Sequence, residues 1–173
     1  SDDRKHDGLF LGRPISDNLS SAAVKRISTW GVRSDRSELE MVTDNAVKFT
    51  VDPARLPQEA GVLSGGNQQK VALAKWLAIN PDIILVNEPT RGVDVGARAE
   101  IYQKLRELAD EGAAIVVAST DIQEITNLPD RVITIYRGIQ VGEIALDDMT
   151  AAAILKEITD PFDETGLQEG QTV

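Results

Sequence analysis

From residue 61 onward the apolar positions follow two alternating periods. Val71, Ala74, Leu77 and Ala78 recur at helical spacing in a run over 66–79 behind Ser64, and Asn80-Pro81 stops it. Ile83-Ile84-Leu85-Val86 is then continuously apolar, the pattern of a strand buried on both faces. Ile101, Leu105 and Leu108 mark the inward side of a helix over 96–110, with Gly112 as its stop. Residues 113–119 read as a second buried strand. A short helix over 122–127 precedes apolar runs at 131–136 and 139–145, which Arg137-Gly138 joins as a hairpin. Residues 148–159 close as a helix. Strand and helix in alternation predict an α/β fold with a parallel sheet and crossover helices. Functional groups in such a sheet gather at the carboxyl ends of the strands, here Asn87-Glu88 and Ser119-Thr120-Asp121.

The first sixty residues carry a different texture. Gly8, Gly12 and Pro14 break an opening polar loop. Ser16 or Asp17 can cap a helix running toward Trp30, where Gly31 would end it. A second helix is expected from Ser34 or Asp35 to about Lys48, with Leu39, Val42, Ala46 and Phe49 on one stripe. Asp52-Pro53 and Leu56-Pro57 then interrupt the chain.

Composition narrows the chemistry. The 173 residues hold no cysteine, which excludes disulfides, a Cys nucleophile and thiolate metal sites. The single histidine, His6, excludes multi-histidine metal sites. No apolar run approaches the ~20 residues of a membrane span, so a soluble, cytoplasmic chain is expected. A net charge of −10 argues against nucleic acid as partner. Seven acids against Lys156 from Asp147 onward put −6 of that charge at the C-terminal end, which reads as a solvated, flexible tail over 160–173.

Two motifs carry candidate chemistry. Leu63-Ser64-Gly65-Gly66-Asn67-Gln68 places a hydroxyl and two glycines at a helix start, where free N–H groups and the helix dipole favour an anion. Taken alone, the same residues more often serve as a cap and tight turn. Asn87-Glu88-Pro89-Thr90 delivers a carboxylate to a strand end, where it can polarise water, reach a metal or simply face solvent.

In order, LSGGNQQK, a helix, IILVNEPTRGVD, a helix and IVVASTD resemble the ATP-binding cassette (ABC) ATPases. EPTRGVDVGAR, and DDRKHDGL near the start, resemble in particular the second cassette of sugar importers that carry two cassettes on one chain. The resemblance spans roughly residues 2–155. It implies a partial P-loop NTPase core with a parallel sheet plus an α-helical subdomain. Residues 1–60 would form the helical subdomain and its preceding loop, and 61–159 the signature helix and the C-terminal part of the core. It further implies that Leu63, Ser64, Gly65, Gly66 and Gln68 form the signature that contacts nucleotide. Glu88 matches the catalytic glutamate, Asn87 the magnesium-binding aspartate, Asp94 the loop touching the opposite cassette, and Thr120 the switch histidine.

The departures define the expected activity. No G-x-x-x-x-G-K-[ST] occurs, so the Walker A portion is absent and the chain resembles the C-terminal piece of a larger protein. Asn87 lacks the anion that holds Mg²⁺, and Thr120 is no histidine. Asp2 falls near the position of the Q-loop glutamine. The resemblance therefore implies division of labour, in which this half's own site is degenerate while Ser64-Gly65-Gly66 completes an ATP site on the other cassette. The isolated chain is expected to be inactive. ATP and Mg²⁺ would act in the full-length assembly, with membrane-spanning permease subunits as partners and a sugar-binding protein as an indirect one. The setting would be the inner face of the cell membrane. A non-catalytic module docking on a membrane partner is the alternative, an unrelated α/β domain is a third reading, and exposed sheet edges predict self-association.

Overall fold

Four polar side chains stand one residue before a helix, and each accepts a hydrogen bond from the first turn. Ser34 caps α2 (Asp35–Lys48), Ser64 caps α3 (Gly65–Leu77), Asp94 caps α4 (Val95–Asp110) and Asp121 caps α5 (Ile122–Asn127). The computed structural model describes residues 8–30 and 32–159. The expectations placed on Asp2, His6, Gly31 and the tail over 160–173 lie outside the described residues. Among the described residues no helix is long and apolar enough to cross a membrane. The chain divides into two compact units after Ala118.

In the first unit, α1 (Ile15–Ser20) packs on α2 and α3, and α3 packs on α4. Ile15, Leu19, Val42, Ala46, Val71, Ala74 and Ile101 are almost fully buried in this core. Strand β3 (Ile83–Asn87) pairs in parallel with β4 (Ala114–Ala118), and α4 is the crossover between them. Gly112 at φ +106° ends α4 in the left-handed region, as its sequence position predicted.

Three expectations are corrected. The first helix stops at Ser20 rather than running to Trp30. Ser21 Oγ donates to Asn18 O, the chain turns, and β1 (Ser28–Thr29) forms an antiparallel hairpin with β2 (Val32–Arg33). Ser28, Thr29 and Val32 favour extended structure more than helix. Leu39 leaves the buried stripe of α2 and is 63% exposed. Neither strand is buried as expected: in β3 Ile84 and Val86 point inward while Ile83 and Leu85 are 66% and 78% exposed, and β4 alternates exposed with half-buried residues.

The segment leading into α1 is fastened to α3 and to the turn before it. Lys75 Nζ donates to Gly8 O at 2.9 Å, Gly61 N to Leu11 O at 2.9 Å and Ala60 N to Arg13 O at 2.9 Å. The fully buried Asn18 side chain accepts from Phe10 N and donates to Phe10 O and Pro14 O.

The second unit is a hairpin with two helices. Strands β5 (Arg131–Tyr136) and β6 (Ile139–Ala145) are antiparallel, and Arg137 and Gly138 turn the chain at φ +50° and +83°. Helix α6 (Ala151–Thr159) follows a 3-10 turn at Leu146–Asp148 and packs on α5, β5 and β6 through the buried Ile154.

Candidate functional site

The Ser-Gly-Gly turn is built from beneath. Leu63 is buried, and Gln68, one turn into α3, sends Nε2 back to Leu63 O at 3.1 Å and Ala60 O at 3.5 Å. Gln68 Oε1 is buried with no hydrogen-bond partner. Gln68 therefore holds the turn from inside, and its own acceptor is given up to do so. Ser64 is exposed, and its Oγ caps Asn67 N at a long 3.4 Å, which leaves the hydroxyl available to a second partner. The first turn of α3 contains no acidic residue of its own to offset the positive end of the helix dipole.

Gly66 has a packing reason to be glycine. A Cβ there would stand 2.6 Å from Ala97 Cβ, 3.3 Å from Asp94 Oδ2 and 3.6 Å from Val93 Cγ1. The starts of α3 and α4 are thus in direct contact. Asp94 divides its carboxylate between them, with Oδ1 accepting from Ala97 N at 2.9 Å and Oδ2 lying beside Gly66. One turn further along, the buried Lys70 of α3 pairs with Glu100 of α4. Leu63, Ser64, Gly65, Gly66, Gln68 and Asp94 are therefore one constellation.

Glu88 sits at the carboxyl end of β3, half-buried, in the left-handed region at φ +48°. Its N–H donates to Ala118 O at 2.8 Å, and its carbonyl accepts from Arg91 N at 3.2 Å. A non-glycine residue held at positive φ by its surroundings stores strain of a kind common at functional positions. Asn87 is exposed on β3 opposite Ala118. Pro89 and Thr90 are buried, and Val93 N bonds Thr90 O, so a tight double turn leads from Glu88 to Asp94. Thr120 is exposed and belongs to the second unit.

Ala97, Lys70 and Glu100 were not singled out from the sequence. The available signal was spacing, since Gly66 and Lys70 stand four apart on one helix face while Ala97 and Glu100 stand three apart on another. Among the described residues no group of three His, Cys, Asp or Glu side chains converges on a metal position. Asn87 and Glu88 offer one neutral amide oxygen and one carboxylate, fewer ligands than a self-contained Mg²⁺ site takes. The exposed Ser64 hydroxyl at the start of α3 does fit an anionic oxygen.

A parallel strand pair with its crossover helix, joined to a helical layer and a Gly-Gly helix start, is the partial core of a nucleotide-binding cassette. The model of the family described as ABC transporter matches residues 6–91. The chain is 47% identical over 156 residues to a ribose import ATP-binding protein of Ruegeria sp. (strain TM1040), covering 90% of this chain and 30% of that protein. It is 44% identical over 154 residues to one of Mesorhizobium japonicum, covering 89% of this chain and 30% of that protein. The chain thus spans under a third of the length of these curated relatives. A solved ATP-binding cassette, dimeric in a post-hydrolysis state with ADP and Pi, superposes with a TM-score of 0.69 at 26% identity over 82% of this chain and 60% of that one. Residues 6–91 thus carry the ABC transporter domain, and nine-tenths of the chain is similar to sugar-import ATP-binding proteins.

Proposed function

We propose that this chain is the signature-bearing part of the second cassette of a sugar-importer ATPase. Its role in that reading is to complete an ATP site on the opposite cassette. The observation that carries the proposal is the junction at Gly66, where the start of α3 and the start of α4 pack as one block around Asp94. ATP bound in the assembly supplies the γ-phosphoryl group that water attacks. Ser64 Oγ and the N–H groups of the first turn of α3 donate to phosphate oxygens. Asp94 holds those donors in place by fixing α4 against α3. Glu88 provides a carboxylate to orient water and accept its proton, beside Asn87, which supplies no charge for a metal ion.

The likeness to ribose import proteins supports a sugar as cargo and permease subunits as partners, at the cytoplasmic face of the membrane. In this reading residues 1–60 form the helical subdomain with its leading loop, 61–159 the signature helix and remaining core, and 160–173 an acidic tail.

Ser64→Asp in the full-length importer is the discriminating variant. Aspartate is as good an N-cap as serine, so α3 stays capped, yet a negative charge now faces the incoming phosphate. Loss of one charge-assisted contact and the added repulsion are expected to lower ATP turnover at least a hundredfold, as for removal of a donor to developing charge. Ser64→Asn should retain much more, and Glu88→Gln should cost less than Ser64→Asp. Unchanged turnover and sugar uptake in Ser64→Asp would refute completion of the opposite site and leave a docking module.

A further inference from the structure

Trp30 stands at the tip of the β1–β2 hairpin, 99% exposed and at φ +53°. Thr29 pairs with Val32, which leaves two residues for the connection, a place where Asn and Gly are favoured and a bulky aromatic strains the backbone. The chain therefore puts its largest side chain where it gains no burial and pays conformational strain. Val24 and Val32 are 51% and 71% exposed. Ser28 Oγ donates to Val24 O at 2.7 Å and Ser34 N to Ile27 O at 3.0 Å, so residues 24–30 and 32–34 are tied to one another.

The charge of this segment runs against the rest of the molecule. Residues 18–34 contain Lys25, Arg26 and Arg33 and no acid, in a chain with 28 acids. Arg33 pairs with Glu38, and Arg26 donates to Ala78 O, while Lys25 makes no ion pair among the described residues. A protein of net charge −10 approaches an anionic surface favourably only through such a patch. Tryptophan, with an apolar ring and one N–H, is the side chain suited to the depth of lipid headgroups.

We propose that the β1–β2 tip is an anchor for an anionic lipid surface. Trp30 sits at headgroup depth, Val24 and Val32 meet the apolar boundary, and Lys25 faces lipid phosphates. This surface is separate from the Ser64–Asp94 constellation and does not depend on the function proposed for it.

The test is cosedimentation of the 173-residue chain with vesicles of phosphatidylcholine containing phosphatidylglycerol, against vesicles of phosphatidylcholine alone. Binding to the anionic vesicles is expected to be the stronger and to weaken with added salt. Lys25→Glu should lower it at least about five-fold, the factor equivalent to ~1 kcal/mol per cation at an anionic surface. Trp30→Ala should lower it several-fold with the far-ultraviolet circular dichroism unchanged. In a Trp76→Phe background, Trp30 emission should shift to the blue on anionic vesicles only. Equal sedimentation of the parent chain and Trp30→Ala would overturn the proposal. So would Trp30 emission that shifts only when membrane protein is added to the vesicles, which would make the tip a protein contact.

Discussion

At the scale of single residues, three side-chain environments make sharp demands. Gly66 admits no Cβ unless Ala97 yields, so Gly66→Ala is expected to destabilise the chain by about 1–3 kcal/mol, the usual penalty of overpacking. Ala97→Gly in the same chain should restore part of that loss, and a double-mutant cycle by denaturant unfolding measures the coupling. A substitution at Gly66 therefore perturbs packing, whereas Ser64→Asp, at an exposed position and still a cap, leaves the packing as it is. Lys75 is governed by burial, which holds its ammonium below the usual lysine value of 10.5. The unfolded chain binds that proton more tightly than the folded one. Desolvation of Lys75 thus opposes folding while the folded group is charged, and this penalty fades as pH rises toward 10.5. The stability of the parent chain relative to Lys75→Met should accordingly rise through the alkaline range, as read from urea midpoints at matched pH. Trp30 presents the reverse case, a residue that the fold would be better without. Trp30→Asn places a tolerant residue at φ +53° and is expected to stabilise the chain by about 1 kcal/mol, seen as a thermal midpoint roughly 2–4 °C higher.

At the scale of elements, local patterns announced nearly every helix and strand, because capping residues, stop signals and periods agreed. Ser34 and Ser64 each mark a helix start that the structure reproduces, while Asp94, not read as a cap from the sequence, starts a third helix. The hairpin at Arg137-Gly138 was equally plain. The β1–β2 hairpin was not, since the apolar residues from Ala22 to Ile27 also suit a helix, and what ends α1 is a serine back-bonding to Asn18. The one-sided burial of β3 could not be read from Ile83 to Val86 either. A continuous apolar run records the capacity to be covered on both faces, while exposure records what this chain brings to cover them. The site was legible as two motifs and an order. Their physical union was not, because it rests on the contact of Gly66 with Ala97, thirty-one positions away in sequence. Asp94 serves both helices there, so Asp94→Ala should cost about 1 kcal/mol in capping alone. Asp94→Asn, which keeps a cap, should recover most of it in thermal unfolding.

At the scale of the whole molecule, the balance of apolar surface is unusual. Ile83, Leu85 and Val116 form an open face on the β3–β4 pair, and each of these two strands has one edge unpaired among the described residues. Such a surface favours association. Light scattering of the 173-residue chain is expected to show concentration-dependent self-association, and Leu85→Lys should suppress it without loss of helix content. The same scale gives meaning to the bonds between the segment at Gly8–Arg13 and α3. Gly8 is held from the last turn of α3 by Lys75, while Leu11 and Arg13 are held by the turn that precedes Ser64. In mechanical terms the segment is a strut. Load applied ahead of residue 8 reaches Ser64 through these bonds, bypassing the hairpin and all of α2, and the start of α3 moves with whatever pulls on Gly8.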